Sequence, residues 1–156
     1  DSCVEDEDDI LKDCERVIAR YHDAKPGSMT QIVLAPCSPF SVTPELLRQS
    51  AAMGRRSGIR LHTHLCETLD EERYTLERFG MRPVEWMDGL GWVAGDVWFA
   101  HAVHVNEAEI SRFARSGCGV RLVSRSSFSP ASRRSSTASG ACSCWRRSCK
   151  SMCSRH

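Results

Sequence analysis

The chain has no apolar run approaching the length of about 18 residues that a membrane helix needs, and no basic-then-apolar leader. Neither a membrane contact nor a signal peptide is expected, and the composition reads as that of a cytoplasmic protein. At 156 residues it is also short of the length of about 250 that a complete eight-stranded β/α barrel takes. Acidic residues are missing from 121–156, although 1–120 holds all 20 of them beside 13 Lys and Arg. The formal charge of +1 is therefore the sum of a segment at −7 and a segment at +8, not the property of one domain. No methionine opens the chain: Asp1 leads almost directly into a helical pattern, so part of the protein is expected to precede it.

The cysteines are also unpaired in pattern. There are nine, an odd number, and the tail set Cys142, Cys144, Cys149 and Cys153 lacks the C-x-x-C repeats of structural zinc sites. In an intracellular chain these read as thiols. Residues 121–156 hold 12 serines and 7 arginines among 36 residues, with no sustained period of 2 or 3.6. Such a segment cannot bury enough apolar surface to offset its ordering entropy. It is expected to be a disordered tail, and its abrupt start suggests an out-of-frame translation. Its arginines have no interleaved aromatics, so no nucleic-acid partner is expected.

What the first 120 residues do contain is alternation of strands with helices. Ile10, Leu11, Cys14, Val17, Ile18 and Tyr21 fall at three- and four-residue steps and predict an amphipathic helix over 5–21. Residues 31–37, QIVLAPC, predict a buried strand. TPELLRQSAAMGRRSG follows as a helix with Thr43 as cap, Pro44 in the first turn and Gly58 at the close. IRLHTHL predicts the next strand, and Thr68 to Glu71, TLDE, has the spacing of a capping box. Pro83 opens a short helix, residues 96–105 predict a third strand, and Asn106 to Glu109 caps a helix that stops near Gly117. The order argues for a parallel sheet of right-handed βαβ units. It is cut off at CGV, 118–120, where another strand should begin.

The chemistry gathers at strand ends. In LHTHLCE, His62 and His64 are two residues apart and share one face of the strand, while Ile59, Leu61, Thr63 and Leu65 share the other. Side chains at the C-terminal ends of parallel strands look into the place where α/β proteins and barrels keep their active sites. Glu67 lies just past that end, and His101 and His104 lie late in the next strand, with only one of these two expected to face the site. Imidazole is the commonest ligand of catalytic zinc, and a carboxylate nearby can carry a proton from bound water to a leaving nitrogen. A lone histidine in a strand is more often a packed or surface residue; the H-x-H phase followed by glutamate sets this pair apart. Cys66 reads as packing, Cys37 as a candidate pocket residue, and Trp86, Trp92 and Trp98 as core.

The segments LAPCSPFSVTPELLR, RLHTHLCETLDEERYTLERFGMRPVEWMD and VWFAHAVHV together resemble the amidohydrolase superfamily, within its cytosine/guanine-deaminase-like branch. The resemblance runs through most of 1–120 and stops at Val120. It implies a partial β/α barrel covering about strands four to six, from a metal-dependent enzyme that hydrolyses an amino group off a heterocycle using one zinc or iron. By the family pattern His64 resembles the metal ligand, Glu67 the proton shuttle, and His101 the residue that binds or polarises the attacking water. His62, Cys37 and Ser38 are implied to lie beside a small heterocyclic substrate. The family's first-strand H-x-H and late aspartate do not occur here. The resemblance therefore implies an 8-oxoguanine-deaminase-like parent whose isolated segment is inactive, with homo-oligomerisation of the parent left open. A triazine amino- or chlorohydrolase, or a non-catalytic α/β binding module with a basic tail, are the competing readings.

Overall fold

The computed structural model describes residues 5–121. The expectations for the tail, its cysteines included, lie outside the described residues except at Arg121, which is the last residue of a strand. Four strands pair in the order β1-β2-β3-β4, all parallel, with helices in every connection. None of the helices among the described residues is long and apolar enough to cross a membrane.

Helix α1 spans Glu7–Tyr21, and Asp6 caps it by accepting from the amides of Asp8 and Asp9 at 3.0 and 3.4 Å. Three acidic residues occupy the first turn, where the helix dipole favours negative charge. Strand β1 is Val33–Leu34, shorter than the seven residues expected. Pro36 has no N–H to give a ladder, and the Cys37 carbonyl is turned to the backbone N–H of His64 at 3.1 Å, so the segment follows its neighbour without forming regular strand. Helix α2, Pro44–Arg56, begins where Thr43 accepts from Leu46 N–H at 3.0 Å, and Gly58 leaves it with φ +66°.

Strand β2 is Arg60–Leu65, and its burial alternates as the sequence predicts, with Leu61, Thr63 and Leu65 fully buried and His62 and His64 half-buried. Helices α3, Leu69–Phe79, and α4, Pro83–Gly89, follow. Strand β3 is Val97–His101, ending four residues before the expected limit because His101 and Ala102 adopt left-handed backbone. Helix α5, Glu107–Ser116, starts at the expected cap, which closes as a full capping box: Asn106 Oδ1 accepts from Glu109 N–H and Glu109 Oε2 from Asn106 N–H, both at 2.9 Å. Strand β4, Gly119–Arg121, begins where a further strand was expected.

One face of this sheet packs on helices. Leu61, Leu65 and Phe99 meet Leu47, Val84, Met87 and Trp92 in a single cluster, and buried Trp92 donates its indole N–H to the Leu47 carbonyl at 2.9 Å. The register places His62, Trp98 and Gly119 in one row across the other face, and His64, Ala100 and Arg121 in the next. The row is tight at its edge, because a Cβ on Gly119 would sit 3.0 Å from the Trp98 Cβ. Gly119→Ala should therefore press β4 away from Trp98 at a cost of about 1–3 kcal/mol, visible as a lower thermal midpoint.

Candidate active site

The site is built where β2 and β3 end. His64 is fixed by one backbone oxygen, the carbonyl of Cys37, which lies 2.7 Å from its Nδ1 and accepts from its own N–H as well. Thr63 Oγ1 donates to the same oxygen at 3.2 Å. A carbonyl cannot donate, so the Nδ1 facing it carries the hydrogen and Nε2 presents its lone pair. His62 is held in the same way, Nδ1 to the carbonyl of Trp98 at 3.0 Å, with its ring stacked on the indole at 4.9 Å between centroids.

Two left-handed turns then bring the remaining groups in. Cys66 has φ +53°, and this turn carries the chain off the end of β2 so that Glu67 faces β3. His101 pairs with Leu65 in the register, and strict alternation would send its ring to the buried helical face with Leu65. Its φ of +72° instead turns the imidazole to the opposite side, where it stacks on His64 at 5.3 Å. There its Nε2 lies 3.5 Å from Glu67 Oε1. Left-handed backbone in residues other than glycine costs of order 1–3 kcal/mol and concentrates at functional sites. Among the described residues the three non-glycine cases are Cys66, His101 and Ala102, all at these two strand ends.

The histidines differ electrically. Burial pulls the His62 imidazole below its ordinary range, against the Trp98 carbonyl and with help from His64, Arg121 and His101. The His64 imidazole is raised, first by its hydrogen bond with the Cys37 side chain and also by Glu67, against burial. The site thus favours a neutral ring at His62 beside a more basic one at His64.

Of the residues singled out from the sequence, His62, His64, Glu67, His101 and Cys37 come together. Ser38 is buried close by in sequence, but its hydroxyl pairs with Ser41 Oγ at 2.7 Å and shapes the loop. His104 is kept out of the cluster as a backbone brace, its N–H on the Cys66 carbonyl at 3.0 Å and its carbonyl on Arg82 at 3.0 Å. Cys66 is packing, as expected, with 1% exposure and a thiol that burial makes harder to ionise. Trp98 corrects the reading that grouped it with the core tryptophans: unlike Trp86 and Trp92 it lies on the histidine face. Its phase with His62 follows from the strand register, which the sequence does not state.

Glu71 was expected to close a capping box. Its N–H does donate to Thr68 Oγ1 at 3.2 Å, but its carboxylate reaches further back, accepting from Cys66 N–H at 2.8 Å and Glu67 N–H at 3.1 Å. Burial pushes this carboxyl up to about 7, against the two amides that favour its charge. The unfolded chain releases that proton near 4.5 and the folded chain holds it longer. Glu71's pH-linked contribution to stability is then complete below about pH 4.5 and lost as pH rises through about 7. A thermal midpoint that declines between about pH 5 and pH 8 in the wild type, and declines less in Glu71→Gln, is the expected result.

A sequence profile described as the amidohydrolase family matches residues 3–146. The chain belongs to the amidohydrolase family. Over 117 residues it is 52% identical to the 8-oxoguanine deaminase of Pseudomonas aeruginosa, a match covering 75% of this chain and 26% of that one. Over 120 residues it is 42% identical to the hydroxydechloroatrazine ethylaminohydrolase of Pseudomonas sp. (strain ADP), covering 77% and 24%. The chain therefore spans about a quarter of the length of these curated relatives. The crystal structure of an atrazine chlorohydrolase from Arthrobacter aurescens TC1 complexed with zinc superposes with a TM-score of 0.73 at 34% identity, covering 77% of this chain and 26% of that one. The parallel four-stranded sheet is thus an arc of an amidohydrolase barrel, one strand wider than the three expected.

A zinc ion in the amidohydrolase relative raises the question of a metal here. A catalytic zinc takes three protein ligands, and among the described residues no three His, Cys, Asp or Glu side chains converge on a point that could hold one. The arc by itself does not make a metal centre, although His64 offers an oriented imidazole of the kind such a centre uses.

Proposed function

We propose that the complete protein is a metal-dependent hydrolytic deaminase of a purine-like heterocycle, with 8-oxoguanine the leading substrate, acting in the cytoplasm. The observation that carries this reading is the carboxylate of Glu67 set 3.5 Å from His101 Nε2, with the His64 ring stacked on His101, at the mouth of a barrel arc. The 52% identity to an 8-oxoguanine deaminase supports the choice of ring.

In this reading His64 is one ligand of a zinc or iron ion whose other ligands come from the rest of the barrel. When bound, that ion supplies Lewis-acid polarisation of a water oxygen. The residues of this chain then do the following. Glu67 takes a proton from the attacking water as its oxygen bonds to the ring carbon bearing the amino group. His101 holds that water by a hydrogen bond. Glu67 returns the proton to the amino nitrogen, the carbon–nitrogen bond breaks, and ammonia leaves the oxo product. His62 and Cys37 line the ring's approach, and the Trp98 indole backs His62.

The test is a chimera in which residues 5–121 replace the matching stretch of the Pseudomonas aeruginosa deaminase. Ammonia release from 8-oxoguanine supports the proposal; a folded, metal-loaded chimera that releases none from 8-oxoguanine, guanine or a hydroxytriazine sinks it. The 42% identity to the ethylaminohydrolase favours a second reading, an alkylamino-triazine substrate. Faster turnover of hydroxytriazine than of 8-oxoguanine would select it.

A further inference from the structure

Glu71 is 1% exposed, and the reaction as proposed does not use it. Its two oxygens accept from the N–H groups of Cys66 and Glu67, the two consecutive amides at the left-handed turn that follows β2. The opposite side of the same turn is equally engaged. The Leu65 carbonyl accepts from Ala102 N–H at 2.9 Å, and the Cys66 carbonyl accepts from Val103 N–H and His104 N–H, both at 3.0 Å. Residues 102–104 are the turn that follows left-handed His101. The far end of that turn is closed by Arg82, which donates to the His104 carbonyl at 3.0 Å and pairs with Glu72 and with buried Glu109.

We propose that Glu71 is a positioning residue for the Glu67–His101 pair: it fixes the backbone turn that aims Glu67 and, through the Cys66 peptide, the turn that aims His101. The inference rests on the reading of Glu67 as the proton carrier. A left-handed residue with a side chain relaxes unless its neighbours hold it, and here two carboxylate-to-amide hydrogen bonds do so on one side of the peptide. The geometry explains why the residue is an acid. Two N–H donors converge on it, and a carboxylate offers an acceptor to each, whereas the amide of glutamine offers one and turns its own donor toward the other.

The experiment uses the full 156-residue chain, isotopically labelled, and needs no turnover. In the wild type the Cys66 and Glu67 amides should exchange with deuterium at least about tenfold more slowly than unbonded loop amides. In Glu71→Gln one of the two should lose about tenfold of that protection. The His101 ring signals should move in Glu71→Gln in the direction they move in Glu67→Gln, and the double variant should move them no further than Glu67→Gln alone. General loosening of a buried loop would not produce that shared, non-additive shift at a distant imidazole. Three results overturn the proposal: wild-type Cys66 and Glu67 amides that exchange at free-loop rates, His101 signals that respond to Glu67→Gln but not to Glu71→Gln, or His101 signals indifferent to both. The exchange arm on the wild type holds even if Glu71→Gln does not fold. Loss of the catalytic reading of Glu67 would show in the turnover of the chimera, and loss of the positioning role would show here.

Discussion

Glu67→Gln in the chimeric deaminase should lower kcat by about 10²–10⁴ while metal content and KM stay near the parent's values, the span that removal of a general acid-base group produces. The reason lies in what the site leaves to Glu67. Its side chain is 49% exposed, so it can exchange a proton with a bound water, and it faces His101 at 3.5 Å from one oxygen only. Among the described residues no backbone amide donates to its carboxylate, and the N–H of Glu67 itself goes to Glu71. Glutamine keeps the size and an oxygen beside His101 but cannot carry the proton from water to the leaving amine. Steady-state ammonia release with metal analysis on the same sample checks this. Turnover within about threefold of the parent's would remove Glu67 from the proton path and leave His101 to account for it.

His64→Ala should release the metal. The imidazole is oriented before any ion arrives, since Nδ1 and the backbone N–H both converge on the Cys37 carbonyl and leave Nε2 pointing outward. Removing a group that merely orients a metal-bound ring costs 10–100-fold in affinity or activity. Removing the ring itself should exceed about a hundredfold, enough to leave the chimera substoichiometric in zinc after dialysis. His62→Ala is the internal control: its ring stacks on Trp98, so its loss should alter KM for the heterocycle while zinc remains bound. Zinc retained in full by His64→Ala would overturn the ligand assignment.

Much of the scaffold could be read from local chemistry. Thr43, Thr68 and Asn106 announce their helices because the side-chain cap is decided within three residues, and the alternation of Leu61, Thr63 and Leu65 with His62 and His64 fixes the two faces of β2. The parts that could not be read depend on partners distant in sequence or on backbone that breaks the period. Trp98 joins the site through its pairing with His62, thirty-six residues away. His101 was expected at the site, but the left-handed turn that brings it there against its strand phase has no sign in the sequence. Glu71 fitted a familiar local motif well enough that its real engagement, with the preceding turn, was hidden. The length of β1 was overestimated for a similar reason: an apolar run reports burial, while Pro36 and the diverted Cys37 carbonyl decide where ladder pairing stops.

The row formed by His62, Trp98 and Gly119 has a consequence for which sequences can occupy this arc. Strands β3 and β4 approach this closely where position 119 has no side chain, since an added Cβ would lie 3.0 Å from the Trp98 Cβ. The limit runs from Cβ to Cβ, so it holds for any residue with a side chain at 98, and shrinking the ring does not relieve it. A side chain at 119 is then accommodated by moving β4 against β3, a change of backbone and not of the ring that His62 stacks on.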